Sequence, residues 1–442
     1  MEERLLEPEI FEYGDLLQLV TRDQHDDDAI NVSLLARFMH ALGPAGCGLI
    51  AVRNVPYLVS SRHFLLPLAR FLALSSPSVR SGILKEHGLG TDVSFKNPDR
   101  SVSSFAAQFY FGKDQRHAHC SQIMESEGAN SRSNDWKMKE DVEDFHNELH
   151  QLGSIYKRLG KSMVDVGLLV ARICDMAIPG VQLEETILEA CTAKGRLIHY
   201  HSLVDRLFLK AFSSSNICKP NRRKKVNQVT GGPTSVVTEA SVCKDMWQDW
   251  HFDYGIFTVL TVPMFLNPLD IDLNRVDAAS IDLKKSRVET SDSVRGLEPN
   301  AFHKHIGLKV LIPLDGCMAF VNVPPDCLIV QVGECAQILT GGKLQAIAHC
   351  VCRPPNMSDI SRETFVVFLQ PAWHKQLYWS GSSVDQSTSS HSAKDFNSSE
   401  QNSLESKIPA LDSRWKNGCT FADFAKETTK QYYGTSGIQS TK

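Results

Sequence analysis

The chain has 442 residues, 42% of them hydrophobic and 22% charged, with a formal net charge of -4. These values describe an ordinary globular protein, long enough for one large domain with insertions or for two, and give no reason to expect nucleic-acid binding by the whole chain. The N-terminal Met1-Glu2-Glu3-Arg4 lacks the order of a signal peptide, no apolar run can span a bilayer, and the 12 cysteines form no disulfide or zinc framework, so a cytoplasmic protein with reduced thiols is expected.

Apolar periodicity predicts a helix over Ala29 to Leu42, a turn at Gly43 to Gly48, a strand over Leu49 to Val52 and a second helix around His63 to Leu74. His25-Asp26-Asp27 lies in an acidic run and reads as solvated surface. Asp92 to Asn134 has no assignable pattern. From Lys139 to Ala177 apolar residues recur every three or four positions, the stripe of one amphipathic helix or two stacked ones. His146 and His150 lie on it, but Asn147 stands where a zinc-protease helix needs glutamate, so both belong on the wet face. Arg196 to His201 reads as a strand, and Arg222-Arg223-Lys224-Lys225 as an exposed basic loop or a nuclear signal.

The run from Trp250 to Val262 is rich in aromatic and β-branched residues and reads as extended. Alternation along a strand would then put His251 and Asp253 on one face. An imidazole and a carboxylate aimed at one point make two thirds of a 2-His-1-carboxylate facial triad, the set that holds Fe(II) and leaves positions open. Residues 267–300 read as a polar insertion. Beyond it come short apolar runs at Gly307 to Leu314, Cys317 to Val323, Cys327 to Val332, Ala336 to Leu339, Leu344 to Val351 and Thr364 to Leu369. With Gly341-Gly342 as a hairpin turn, they predict a mainly β fold with flanking helices, an antiparallel sandwich or barrel. Residues 380–406 are a Ser-rich linker, and Trp415 to Tyr433 can fold back as a helix.

Two histidine sites compete for the third metal position. His303 and His305 sit at the edge of the polar insertion, whereas His349 lies in an apolar run whose burial would fix its direction, which favours His349. Further on, Arg362 and Thr364 share a strand face with Val366 and Phe368 behind them. A guanidinium aimed into a barrel needs an anion, and a carboxylate suits its planar fork; the alternative is a surface ion pair.

Trp250-His251-Phe252-Asp253-Tyr254-Gly255, Val332-Gly333-Glu334 to His349, and Arg362-Glu363-Thr364 to Pro371 resemble, in order, the iron(II)- and 2-oxoglutarate-dependent dioxygenases, in particular the plant branch similar to isopenicillin N synthase. The resemblance is carried mainly by Arg196 to Trp373. It implies a double-stranded β-helix, a jelly-roll, cupin-like barrel with helices outside. It also implies iron ligands His251, Asp253 and His349, and 2-oxoglutarate contacts Arg362, Thr364 and Tyr200. Fe(II) and 2-oxoglutarate would be the cofactors, with ascorbate supporting activity, and O2 and a small organic molecule the substrates of a monomer without membrane or nucleic-acid partners. The implied division is 1–190 as an α/β and helical region, 191–378 as the dioxygenase core, 379–406 as linker and 407–442 as tail. Phe252 departs from the family's small polar residue, Tyr200 is followed by His201-Ser202 rather than proline, and the insertion lengthens a spacing that by itself suits His305. The rival readings are an oxidase of this fold without 2-oxoglutarate, a silent binding barrel and a nucleic-acid demethylase suggested only by residues 222–225.

Overall fold

The computed structural model describes residues 4–21, 29–95, 97, 100–112, 141–215, 246–267, 307–353, 359–380 and 408–433. Its strands are β1 (Arg4–Leu6), β2 (Ile10–Glu12), β3 (Leu49–Arg53), β4 (Val102–Tyr110), β5 (Thr192–Tyr200), β6 (Met246–His251) and β7 (Phe257–Thr261). The series continues with β8 (Met264–Leu266), β9 (Gly307–Leu311), β10 (Met318–Val321), β11 (Cys327–Val332), β12 (His349–Cys352) and β13 (Ser361–Leu369). One sheet has five strands in the order β1-β10-β9-β12-β6; the other has eight, ordered β2-β3-β11-β7-β13-β5-β4 with β8 paired to β13. Both are mixed, because β1 joins β10 and β2 joins β3 in parallel while the other pairs are antiparallel. The segment before residue 190 thus contributes strands to both sheets.

Period-two alternation organises the core. Along β13, Phe365, Val367 and Leu369 join the cluster shared with the helices, while Val366 and Phe368 join a second cluster that also holds Ile198, Leu260 and Phe265 of the same sheet and Leu308, Val310 and Val351 of the other. Both faces of the larger sheet are therefore apolar, which is why β7, β11 and β13 read as continuous hydrophobic runs.

The helices are α1 (Tyr13–Thr21), α2 (Ala29–Leu42), α3 (Leu58–Leu74), α4 (Pro77–His87), α5 (Asp141–Ala177), α6 (Leu183–Ala190), α7 (Leu203–Ser215), α8 (Glu334–Leu339), α9 (Leu411–Arg414) and α10 (Phe421–Tyr433). The stripe over 139–177 is one continuous helix, α5, of 37 residues, about 55 Å long at 1.5 Å per residue. It lies close to the sheet because Gly167 has no side chain: a Cβ there would come within 1.9 Å of the Leu369 side chain. His150 is exposed and pairs with Glu86. From α3, the buried Arg62 donates to the carbonyls of Val262 and Pro263 at 2.7 and 2.8 Å, satisfying backbone oxygens at the corner between β7 and β8. No helix among the described residues is long and apolar enough to cross a membrane.

Several expectations change. The run from Trp250 to Val262 is not one strand: β6 ends at His251 in the smaller sheet and β7 begins at Phe257 in the larger. Ala336 to Leu339 is helix α8 rather than strand. Its end, not a hairpin, uses Gly341 and Gly342, whose φ angles are 61° and 82°. Of Leu344 to Val351, only the part from His349 is strand. The unassigned region contains β4, paired along its whole length with β5. His25 to Asp27, the basic cluster 222–225, His303, His305, all but the first residue of the insertion and the Ser-rich linker after residue 380 lie outside the described residues.

Candidate metal centre

His251 is the last residue of β6 and His349 the first of β12, and the two are register partners across the smaller sheet. Asp253 follows in the turn that carries the chain from one sheet to the other. Each offers one ligand atom, and these atoms all lie within 4.8 Å of one another. Asp253 oxygens stand 4.0 Å from His251 Nε2 and 3.8 Å from His349 Nε2. The imidazole centroids are 4.2 Å apart. The turn, not strand alternation, therefore aims the carboxylate. Its backbone is fixed on Gly333, whose N–H donates to the Ile256 carbonyl and where a Cβ would meet the Gly255 carbonyl oxygen at 2.3 Å, and on Glu334, whose N–H donates to Asp253 O at 2.8 Å.

Partners of the trio fix its orientation. His251 Nδ1 donates to Asp249 O at 2.8 Å and His349 Nδ1 to Ile347 O at 3.1 Å, which leaves both Nε2 lone pairs facing inward. Thr258 of β7 donates its hydroxyl to Asp253 Oδ2 at 2.7 Å. Burial and the facing His349 ring push the His251 imidazole down to about 4, although Asp253 opposes this, so the ring is a neutral donor at neutral pH. Over the site lies α10, whose Tyr432 hydroxyl accepts from Phe252 N at 3.1 Å and whose ring centroid is 6.4 Å from that of His251. Arg414, paired with buried Glu334 at 2.5 Å, stacks on Tyr432 and ties the tail to the turn beside Asp253.

Arg362 is 2% exposed and its Nε has no hydrogen-bond partner. Burial lowers its affinity for the proton, with Tyr200 and Glu363 working the other way. Gly307, at φ 107°, lies beside it: a Cβ there would stand 4.0 Å from Nε. The guanidinium lies over the Tyr200 ring at 4.9 Å. The Tyr200 hydroxyl donates to Gln248 Oε1 at 3.0 Å, and Gln248 Nε2 donates to His251 Nε2 at 2.9 Å. A continuous chain of contacts thus runs from Arg362 to the trio. Thr364 is buried too, but its hydroxyl donates to Thr261 O at 3.2 Å.

A second set of His, His and Asp lies behind Tyr200. His199, His201 and Asp205 are 0%, 0% and 1% exposed, and their ligand atoms also lie within 4.8 Å of one another. Every one already has a protein partner. His199 Nδ1 donates to Glu363 at 2.9 Å and its Nε2 meets His201 Nδ1 at 3.2 Å. His201 Nε2 meets the Ser103 hydroxyl at 2.8 Å, while Asp205 accepts from Arg70 and from Ser202 N, each at 2.9 Å. This is a closed buried polar network.

The structure therefore brings His251, Asp253 and His349 together, and places Arg362 and Tyr200 at the other end of one contact chain. Gln248, Thr258 and Tyr432 went unread as site residues. Thr258 carried a signal, a hydroxyl inside an apolar run; Gln248 carried none. This β-rich chain with helices outside presents a two-histidine, one-carboxylate donor set of the kind that can hold a single metal ion. No family model and no curated protein matches the chain. Solved structures that resemble it include dioxygenases. A full-length Neurospora crassa protein in complex with alpha-KG is 12% identical, with 96% of each chain covered and a TM-score of 0.45. JOX2 in complex with 2OG, Fe and JA is 14% identical, covering 98% of this chain and 88% of that one at 0.47. The Arabidopsis thaliana dioxygenase for auxin oxidation, solved with 2-oxoglutarate, is 12% identical, covering 82% and 92% at 0.40. Similarity at this level carries no functional argument, which rests on the site's own geometry.

Proposed function

We propose that this chain is an Fe(II)- and 2-oxoglutarate-dependent dioxygenase, a jelly-roll enzyme that oxidises a small organic molecule, by hydroxylation in the simplest case, with release of succinate and CO2. The observation that carries the reading is the convergence of two inward-facing Nε2 atoms and one carboxylate, with ligand atoms within 4.8 Å of one another, on a point where a cation fits. The donor set suits Fe(II). The orphaned Nε of buried Arg362 suits the distal carboxylate of 2-oxoglutarate.

In this reading His251, Asp253 and His349 hold the metal, which with 2-oxoglutarate and O2 supplies the oxidising power. Backbone carbonyls of Asp249 and Ile347 keep both imidazoles in the metal-binding tautomer. The Thr258 hydroxyl holds the carboxylate. Arg362 grips the far end of the cosubstrate, with Tyr200 flat beneath it and Thr364 at its side. Phe252 and Tyr432 limit access of water from the substrate side. We assign residues 1–190 as the region packing on and completing the sheets, 191–378 as the catalytic core with its polar insertion, 379–406 as linker and 407–442 as a closing tail, in a cytoplasmic monomer with ascorbate as supporting reductant.

The test is anaerobic titration of the metal-free protein with Fe(II) and then 2-oxoglutarate, following the visible charge-transfer band of the chelate. A band that disappears in His349→Ala and needs far more 2-oxoglutarate in Arg362→Ala supports the proposal. Metal binding without a band in well-folded wild type would favour an oxidase that does not use 2-oxoglutarate; no metal binding would favour a silent barrel.

A further inference from the structure

Gln248 joins the two ends of the site. Its oxygen accepts from the Tyr200 hydroxyl and its nitrogen donates to His251 Nε2. The direction of this relay is fixed from one end. The Asp249 carbonyl can only accept, so the ring proton of His251 lies on Nδ1 and the lone pair on Nε2. Gln248 must then present its NH2 group to His251 and its oxygen to Tyr200.

The lone pair that Gln248 engages is the one a metal at the trio takes. Metal binding therefore removes the acceptor of a half-buried amide N–H, and such a donor is costly to leave unanswered. In the proposed function an acceptor arrives at the same moment, because the keto-acid end of 2-oxoglutarate carries carboxylate and keto oxygens. A dicarboxylate also needs a donor at each end. Arg362 provides one, and its stacking on Tyr200 couples it to the same relay.

We infer that Gln248 binds the keto-acid end of 2-oxoglutarate: its amide N–H, released from His251 by the metal, donates to an oxygen of the cosubstrate while the Tyr200 hydroxyl holds the amide in place. The inference rests on the 2-oxoglutarate reading and adds a contact beyond the ligands and Arg362. It also gives Tyr200 a role that Phe could not fill, that of orienting the glutamine.

The test measures binding rather than turnover. Full-length wild type, Gln248→Leu, Gln248→Asn, Gln248→Glu and Tyr200→Phe are loaded anaerobically with Fe(II) and titrated with 2-oxoglutarate, recording metal affinity, 2-oxoglutarate affinity and the position of the charge-transfer band. Gln248→Leu should hold Fe(II) at least as tightly as wild type, because no amide competes for Nε2. It should need about tenfold or more 2-oxoglutarate, as loss of a hydrogen bond to a charged group predicts, and its band should move. Gln248→Glu should bind 2-oxoglutarate more weakly still, through like-charge repulsion. Gln248→Asn, too short to span, should behave as the leucine variant and replaces it if that one does not fold. Tyr200→Phe should show a smaller loss. Wild-type 2-oxoglutarate affinity and band position in the Leu, Asn and Glu variants would overturn the inference and leave the parent reading standing. A metal-loaded wild type with no band would overturn both.

Discussion

Two clusters of two histidines and an aspartate sit in one molecule, and they differ in what their polar atoms have left to do. In the inner one, His199, His201 and Asp205 meet each other or Glu363, Ser103, Arg70 and Ser202 at 2.8 to 3.5 Å, and the set closes on itself. In the outer one, His251 and His349 commit Nδ1 to the backbone, and the one side chain among the described residues that reaches an Nε2 atom is Gln248, at His251. Their Nε2 atoms stand 3.8 to 4.0 Å from Asp253, beyond hydrogen-bond reach. Residue type and cluster size are the same in both. The spacing of the donors, set by Gly333 and Thr258 around Asp253 and by Glu363 and Arg70 around the inner set, separates a network from a metal centre.

The sharpest way to break the comparison is to remove one member from each cluster. Asp205→Ala strips the buried Arg70, 1% exposed, of its carboxylate and should cost about 3–5 kcal/mol of stability in urea denaturation. The folded fraction should still bind one Fe(II). If Asp205→Ala instead lowers metal stoichiometry with little loss of stability, the inner cluster is the metal site. His349→Ala should do the reverse. Metal at a hundred times its Kd should stabilise wild type by about 2.7 kcal/mol, reversed by a chelator, and this gain should vanish in the variant. Thermal melts with and without metal measure it.

Much of the outer cluster was legible because its residues stand in strongly apolar surroundings. The apolar neighbours of His349 in sequence, Ile347, Ala348 and Cys350, are buried as their type suggests, and His349 lies with His251 and Asp253. Arg362, Val366 and Phe368 share a face as the period of two requires. His251 and Asp253 do lie together, but a turn between sheets rather than alternation along one strand aims the carboxylate. The helix α8 read as a strand because the four-residue run Ala336 to Leu339 is too short to show a period that separates the two. Pairings between distant segments, such as β1 with β10, Tyr432 with Phe252 or Gln248 with Tyr200, depend on tertiary contacts that leave no local pattern.

A smaller effect tests the carboxylate's support. Thr258→Val keeps the shape of β7 but removes the hydroxyl that donates to Asp253 Oδ2. Metal affinity should fall about 10–100-fold, as for other partners of metal ligands, while stability stays close to wild type. An unchanged affinity would mean that the turn alone positions Asp253.

The smallest effect comes from protons. Burial, reinforced by His199, Arg100, Arg206 and Arg70, holds the His201 imidazole well below its ordinary value of 6.5. The folded chain therefore binds fewer protons at this ring than the unfolded chain once the pH drops below that value. Its contribution to stability is complete above about pH 6.5 and is lost as the pH falls towards the depressed value. His201→Gln replaces the ring with a group that does not titrate. Denaturation midpoints between pH 7 and pH 5 should fall for wild type and fall less steeply for the variant, by up to about 1.4 kcal/mol per pH unit for one proton. His251, pushed down to about 4, adds to the same loss of stability below pH 6.5, so both proteins must carry the same metal load. Parallel slopes would mean that the inner cluster already holds a proton on His201, and the contrast between a closed network and an open donor set would have to be redrawn.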